Sequence, residues 1–77
     1  MRSINRRDDI YELIATNIRK ERCSKNMTQA ELAEKSGYSH VTIRKIEASN
    51  IKKYFSIDTV CNIADALNVD VSCLFKK

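Results

Sequence analysis

Residues 28–47, TQAELAEKSGYSHVTIRKIE, carry the local signals from which the rest of the chain can be read. Thr28 and Glu31 stand at capping-box spacing: the threonine hydroxyl can accept from the backbone N–H of residue 31, while the glutamate carboxylate reaches back to the N–H of residue 28. A helix therefore starts here. Met27 before the cap and Leu32 after it are placed as a hydrophobic staple that sets the angle of entry, and Ala30, Leu32 and Ala33 are expected on the inner side. Gly37 is the chain's only glycine and falls where the helix must stop, a position that favours the left-handed conformation. Ser39 is a good N-cap for a second helix, HVTIRKIEA. At 100° per residue Ile43 and Ile46 fall on one side of it, and Val41, Arg44, Lys45 and Ala48 on the other.

That outer stripe is basic and partly apolar. Such a surface suits the DNA major groove, which admits a helix and where Arg or Lys can donate to guanine while an apolar side chain touches the thymine methyl. Two short helices at a fixed angle, with the outer face of the second left free, point to contact with a partner, and the flanking residues look like support for it.

The chain resembles the phage repressor/Cro type of helix-turn-helix DNA-binding domain, the XRE-like family. The resemblance runs from IRKER through TQAELAEKSGYS and VTIRKIE to SIDTVCNIADALNVDVSCLF. It implies an all-α, compact five-helix lambda-repressor-like domain. It also implies that Gln29 and the N-terminus of its helix, with Thr28 and Ser39 beside them, hold phosphates. His40, Val41 and Lys45 would then face bases, and Thr42 and Arg44 would add base or phosphate contacts. Three departures stand out: Ser36 occupies a usually apolar place, Ala48 and Ser49 replace the polar-glycine pair that commonly ends the recognition helix, and no proline follows.

Seventy-seven residues suffice for one small domain, expected over residues 9–77 behind a loose basic arm, 1–8, with helices near 9–25, 28–36, 39–48, 56–67 and 70–75. The net charge of +4 is uneven. Residues 1–55 hold twelve basic and seven acidic groups, residues 56–77 two and three, a front-loaded positive field that suggests a polyanion partner. Cys23, Cys61 and Cys73 are odd in number, lack CxxC spacing and have one histidine to join them. A metal site is not expected, and Cys61 and Cys73, at helix positions where small apolar residues would serve, are expected to be reduced core thiols. No apolar run can span a membrane and no signal core is present, so a cytoplasmic protein is expected.

The arm MRSINRR is either solvated or laid along phosphates or a minor groove, and Asp8 or Asp9 can cap the first helix. Ile10, Leu13, Ile14 and Ile18 recur at helical spacing. Arg22 extends that face and calls for a partner. In the family an arginine here pairs with a glutamate at the end of the recognition helix, which is Glu47 in this chain, and Glu47 borders the core on the wheel. A partly buried bidentate pair is therefore expected. In SNIKKYF, Lys52 and Lys53 are candidate phosphate contacts, and Tyr54 or Phe55 is expected to anchor the loop. Ser56 can cap a helix bearing Ile57, Val60, Ile63, Ala64 and Leu67, with Asn68 as its stop. Asp70 starts a final turn or short helix, whose Val71, Leu74 and Phe75 either seal the core or meet another subunit.

The leading expectation is a sequence-specific regulator of transcription that binds double-stranded DNA, a repressor in its simplest form, working as a homodimer on half-sites about one helical turn apart. A protein-binding adaptor or antitoxin-like module is the alternative, permitted by the apolar Val41 and Ala48. An enzyme is not expected: His40 has no nucleophile or carboxylate at catalytic spacing, and no glycine-rich phosphate loop exists. No cofactor, metal or small-molecule site is visible.

Overall fold

The computed structural model describes the backbone of residues 7–48 and 56–77, with side chains from Ile10 onward. Four α-helices, α1 (Arg7–Ser24), α2 (Gln29–Ser36), α3 (His40–Ala48) and α4 (Ile57–Leu67), are followed by a 3-10 segment, Val71–Phe75. All described elements are thus helical, but the expected fifth helix is this five-residue 3-10 segment. Asp70 caps it by accepting from the Ser72 N–H, and so short a run fits the tighter 3-10 winding. α1 begins at Arg7, so Asp8 and Asp9 lie in its first turn rather than before it.

The capping box of α2 is complete: Glu31 N–H donates to Thr28 Oγ1 at 3.0 Å and Thr28 N–H to Glu31 Oε1 at 2.7 Å. Hydrogen bonding to the carboxylate, first from the Thr28 backbone N–H and then from the Thr28 side chain, holds the Glu31 carboxyl below its ordinary range. A carboxyl whose folded-state pKa is depressed stabilises the fold above its unfolded value and loses that contribution as the pH falls through the folded one. Acid titration of unfolding should therefore show Glu31→Gln weaker than the parent at neutral pH, with the gap closing below about pH 4.

Among the described residues, three helices end on a left-handed residue. Gly37 has φ +82° and its N–H donates to Ala33 O. Asn26 and Asn68, with φ +55° and +59°, do the same work without glycine. Met27 N–H reaches Arg22 O, and Val69 N–H reaches Ala64 O, the six-to-one bond of the Schellman motif, in which asparagine is the usual substitute. A Cβ at position 37 would meet nothing within 4 Å, so Gly37→Ala suffers only the backbone penalty. It should lose about 1–2 kcal/mol in urea unfolding.

α1 packs on the 3-10 segment, α3 and α4, and α2 packs on α3 and α4. Between them lies one apolar cluster in which Ile18, Leu32, Ile43, Ile46, Ile63, Leu67 and Leu74 are fully buried. Each such side chain contributes about 1.5–3 kcal/mol by leaving water. Met27 packs against this cluster and Leu32 lies within it, as a staple requires.

The periodicities were right in phase but not in extent. Ala30 is exposed, not inward. Leu13 is half-buried, while Ala15 and Asn17 take buried places, because the centre of the buried stripe runs through 14, 15, 17 and 18. Asn17 is polar but satisfied: its Nδ2 donates to Leu74 O at 3.0 Å and Lys76 O at 2.6 Å, tying the end of the chain to α1. Ile57 shares the spacing of the α4 core residues yet is 71 % exposed, since it opens the helix beyond the edge of the cluster. Cys61 and Cys23 are exposed and Cys73 half-buried, so these thiols are not core residues. Leu74 is buried, whereas Val71 is half-buried and Phe75 exposed.

Candidate nucleic-acid interface

α3 is held at its start by Ser39, whose Oγ accepts from Thr42 N–H at 3.1 Å and whose carbonyl accepts from Ile43 N–H at 3.1 Å. The Ser39 hydroxyl also donates to Thr42 Oγ1 at 2.9 Å. With Ile43 and Ile46 turned into the core, the helix presents His40, Val41, Arg44, Lys45 and Ala48 to solvent, and Thr42 is half-buried at the edge. Val41 is 46 % exposed, which is unfavourable for a valine facing water and gives the basic face an apolar centre.

The opposite edge of α3 is fixed by charge. Glu47 is 4 % exposed. Its Oε2 accepts from Arg22 Nε at 2.6 Å and its Oε1 from Arg22 Nη2 at 3.0 Å. This is a bidentate pair, the geometry in which a guanidinium fork matches a carboxylate best. The hydrogen bond to Glu47 raises the Arg22 pKa against the opposing effect of burial, with the glutamate charge adding to the rise. Arg22 Nη1 donates to Met27 O at 2.8 Å, so one guanidinium joins the end of α1, the residue before the α2 cap and the end of α3. Arg19 adds a bond from Nη1 to Glu47 O at 3.2 Å, a cation at the negative end of the α3 dipole.

Gln29, expected at a phosphate, is half-buried in the same network. Its Nε2 donates to Glu47 Oε1 at 3.1 Å, and its Oε1 lies 3.4 Å from His40 Nε2. Its second amide hydrogen has no partner among the described residues, so the geometry is compatible with a phosphate contact but adds a connection to Glu47 that the sequence does not indicate. Thr28 is exposed with its hydroxyl engaged in the capping box, and Ser39 is exposed at the start of α3. Lys52 and Lys53, like Tyr54 and Phe55, lie outside the described residues. Arg19 and Asn17 also make structural bonds that the sequence does not announce as such. Asn17 offered a signal, a polar residue within the apolar stripe of α1; Arg19 offered none, since its partner is a backbone carbonyl.

Among the described residues no group of three or more His, Cys, Asp or Glu side chains could hold a metal, and no helix is long and apolar enough to cross a membrane. The turn between α2 and α3 is braced from behind: Tyr38 packs on the core and its hydroxyl accepts from Asn62 Nδ2 of α4 at 3.0 Å. Ser36, where an apolar residue is usual, is half-buried and donates to Ala33 O at 3.2 Å, which satisfies its hydroxyl within α2.

A sequence profile described as helix-turn-helix matches residues 18–72, more than half of the chain and all of α2, α3 and α4. Two solved structures are similar. The crystal structure of a mutant of the restriction-modification controller protein C.Esp1396I shares 29% identity, covering 86% of this chain and 85% of that one, with a TM-score of 0.78. The crystal structure of the hypothetical transcription factor NHTF from Neisseria shares 22% identity over 99% of this chain and 85% of its own, with a TM-score of 0.82, a likeness of fold. No curated protein sequence matches the chain.

Proposed function

The chain belongs to the helix-turn-helix family, and from that premise we propose that it regulates transcription by binding double-stranded DNA through α3, as a repressor that occupies its operator as a homodimer. The observation that carries the reading is the division of α3: Val41, Arg44 and Lys45 are left exposed while Glu47, on the edge that His40 shares, is immobilised by Arg22 and Gln29. A helix fixed on one side and cationic on the other is prepared for a groove, and the ordering entropy of α3 is spent in folding rather than on contact. The similarity to a restriction-modification controller protein supports a regulatory role. Dimeric use follows from reach: one such helix reads only a few base pairs, and a second copy about 34 Å along the duplex multiplies the discrimination.

In this reading His40, Val41, Thr42, Arg44 and Lys45 face bases, while Thr28, Gln29, Ser39, Lys52 and Lys53 serve the phosphates. Lys45→Ala should reduce discrimination at one base position by about 1–3 kcal/mol while leaving other positions unchanged, as measured by competition binding on single-substitution duplexes. Equal losses on every duplex would refute the base contact. A protein-binding adaptor is the second reading, and the exposed Val41 is the observation that favours it. Affinity for DNA that is negligible even at low salt would bring it forward.

A further inference from the structure

We propose that His40 reads its base as a hydrogen-bond acceptor, because Glu47, acting through Gln29, determines which nitrogen of the imidazole carries the proton. The inference rests on the DNA-binding reading for its consequence, but not for its geometry. Glu47 is the fixed point. Its carboxylate, paired with Arg22, can only accept, so the Gln29 group 3.1 Å from Oε1 is the amide nitrogen. The amide oxygen of Gln29 must then point the other way, and it lies 3.4 Å from His40 Nε2. An amide oxygen also only accepts. The proton of the neutral ring is therefore on Nε2, and Nδ1 carries a bare lone pair with no partner among the described residues.

His40 is exposed in the first turn of α3, on the edge next to Val41 and Arg44. The major-groove edges that can donate to a lone pair are the amino groups of cytosine N4 and adenine N6, whereas guanine and the thymine oxygen offer acceptors. His40 thus selects cytosine or adenine. Arg44 and Lys45, which hold only donors, take the complementary role at guanine. Gln29 is a positioning residue in this scheme: it acts through His40, and Arg22 and Glu47 act through Gln29.

The chain holds a single histidine, so a long-range 15N–1H correlation spectrum of the intact protein reports this ring alone. Recorded well above the ordinary histidine titration range, it should show Nε2 protonated and Nδ1 bare. In Gln29→Met, and in Gln29→Ala as a second variant, the signals should move towards the tautomer mixture of a free imidazole. A proton on Nδ1 in the parent protein, or the same spectrum in parent and folded variants, would overturn the proposal. A proton on Nδ1 in the parent spectrum overturns the proposal even if neither variant folds. For the consequence, sequences selected from a random duplex library should contain a position, identified by its relaxation in His40→Ala, at which cytosine or adenine exceeds guanine by about tenfold. Guanine at that position overturns the assigned readout. A library that returns no motif overturns that readout together with DNA binding, while the spectrum still decides the tautomer.

Discussion

Glu47→Ala is expected to destabilise the fold by about 3–5 kcal/mol, because it leaves the Arg22 guanidinium partly buried without its counter-charge. The two side chains are 12 % and 3 % exposed, so water cannot replace the lost partner fully. The loss is a large share of the roughly 5–15 kcal/mol that holds a small domain together. Gln29 Nε2 loses its acceptor at the same time. The informative comparison is the double replacement Arg22→Met with Glu47→Leu. Removing both charges together avoids the stranded ion, and stability should return to within about 1–2 kcal/mol of the parent. DNA binding should not return with it, since nothing then orients Gln29. Urea unfolding monitored by far-ultraviolet circular dichroism, beside a binding titration, separates the two effects. If Glu47→Ala unfolds at the parent midpoint, the pair is not holding α3 in place.

The second large effect is a contrast within α4. Ile57 and Ile63 are both isoleucines at apolar-stripe spacing, yet Ile63 is fully buried and Ile57 is 71 % exposed. Ile63→Ala should lose about 2–5 kcal/mol, the sum of lost burial and the cavity left behind. Ile57→Ala should change the stability of the monomer by less than about 0.5 kcal/mol. Denaturant titrations at two protein concentrations test both. A large loss at Ile57 that grows with protein concentration would show that a second copy covers it; one independent of concentration would contradict its exposed position.

These contrasts show what the sequence carried. The elements whose signals are local were legible: the Thr28 and Glu31 box, the Gly37 stop, and the Ser39 and Ser56 caps each bond within a few residues. The inward faces of α3 and α4 followed from periodicity, because a buried stripe recurs with the helix turn. What failed was local exposure. Ala30, Ile57 and Cys61 have the right spacing or chemistry for a core but sit where no described element covers them, and that depends on packing between helices distant in sequence. Asn26 was passed over as a helix end because asparagine takes the left-handed conformation less cheaply than glycine. The Arg22 and Glu47 contact was reachable only because the resemblance suggested it; the wheel showed that it fitted. His40 and Glu47 share a face of α3 at seven-residue spacing, but the contacts of Gln29 with both cross from α2 to α3, and no periodicity within one helix places them.

DNA recognition by the exposed face of α3 underlies the functional reading, and selection of bound duplexes from a random library at two salt concentrations examines it. The prediction is an inverted repeat with half-sites about one helical turn apart, recovered at both concentrations, with affinity that falls as salt rises because phosphate contacts release counterions. In Lys45→Ala the repeat should persist with relaxed preference at one position of each half-site. Recovery of no motif, with weak binding that salt abolishes uniformly, would contradict sequence-specific regulation by this face.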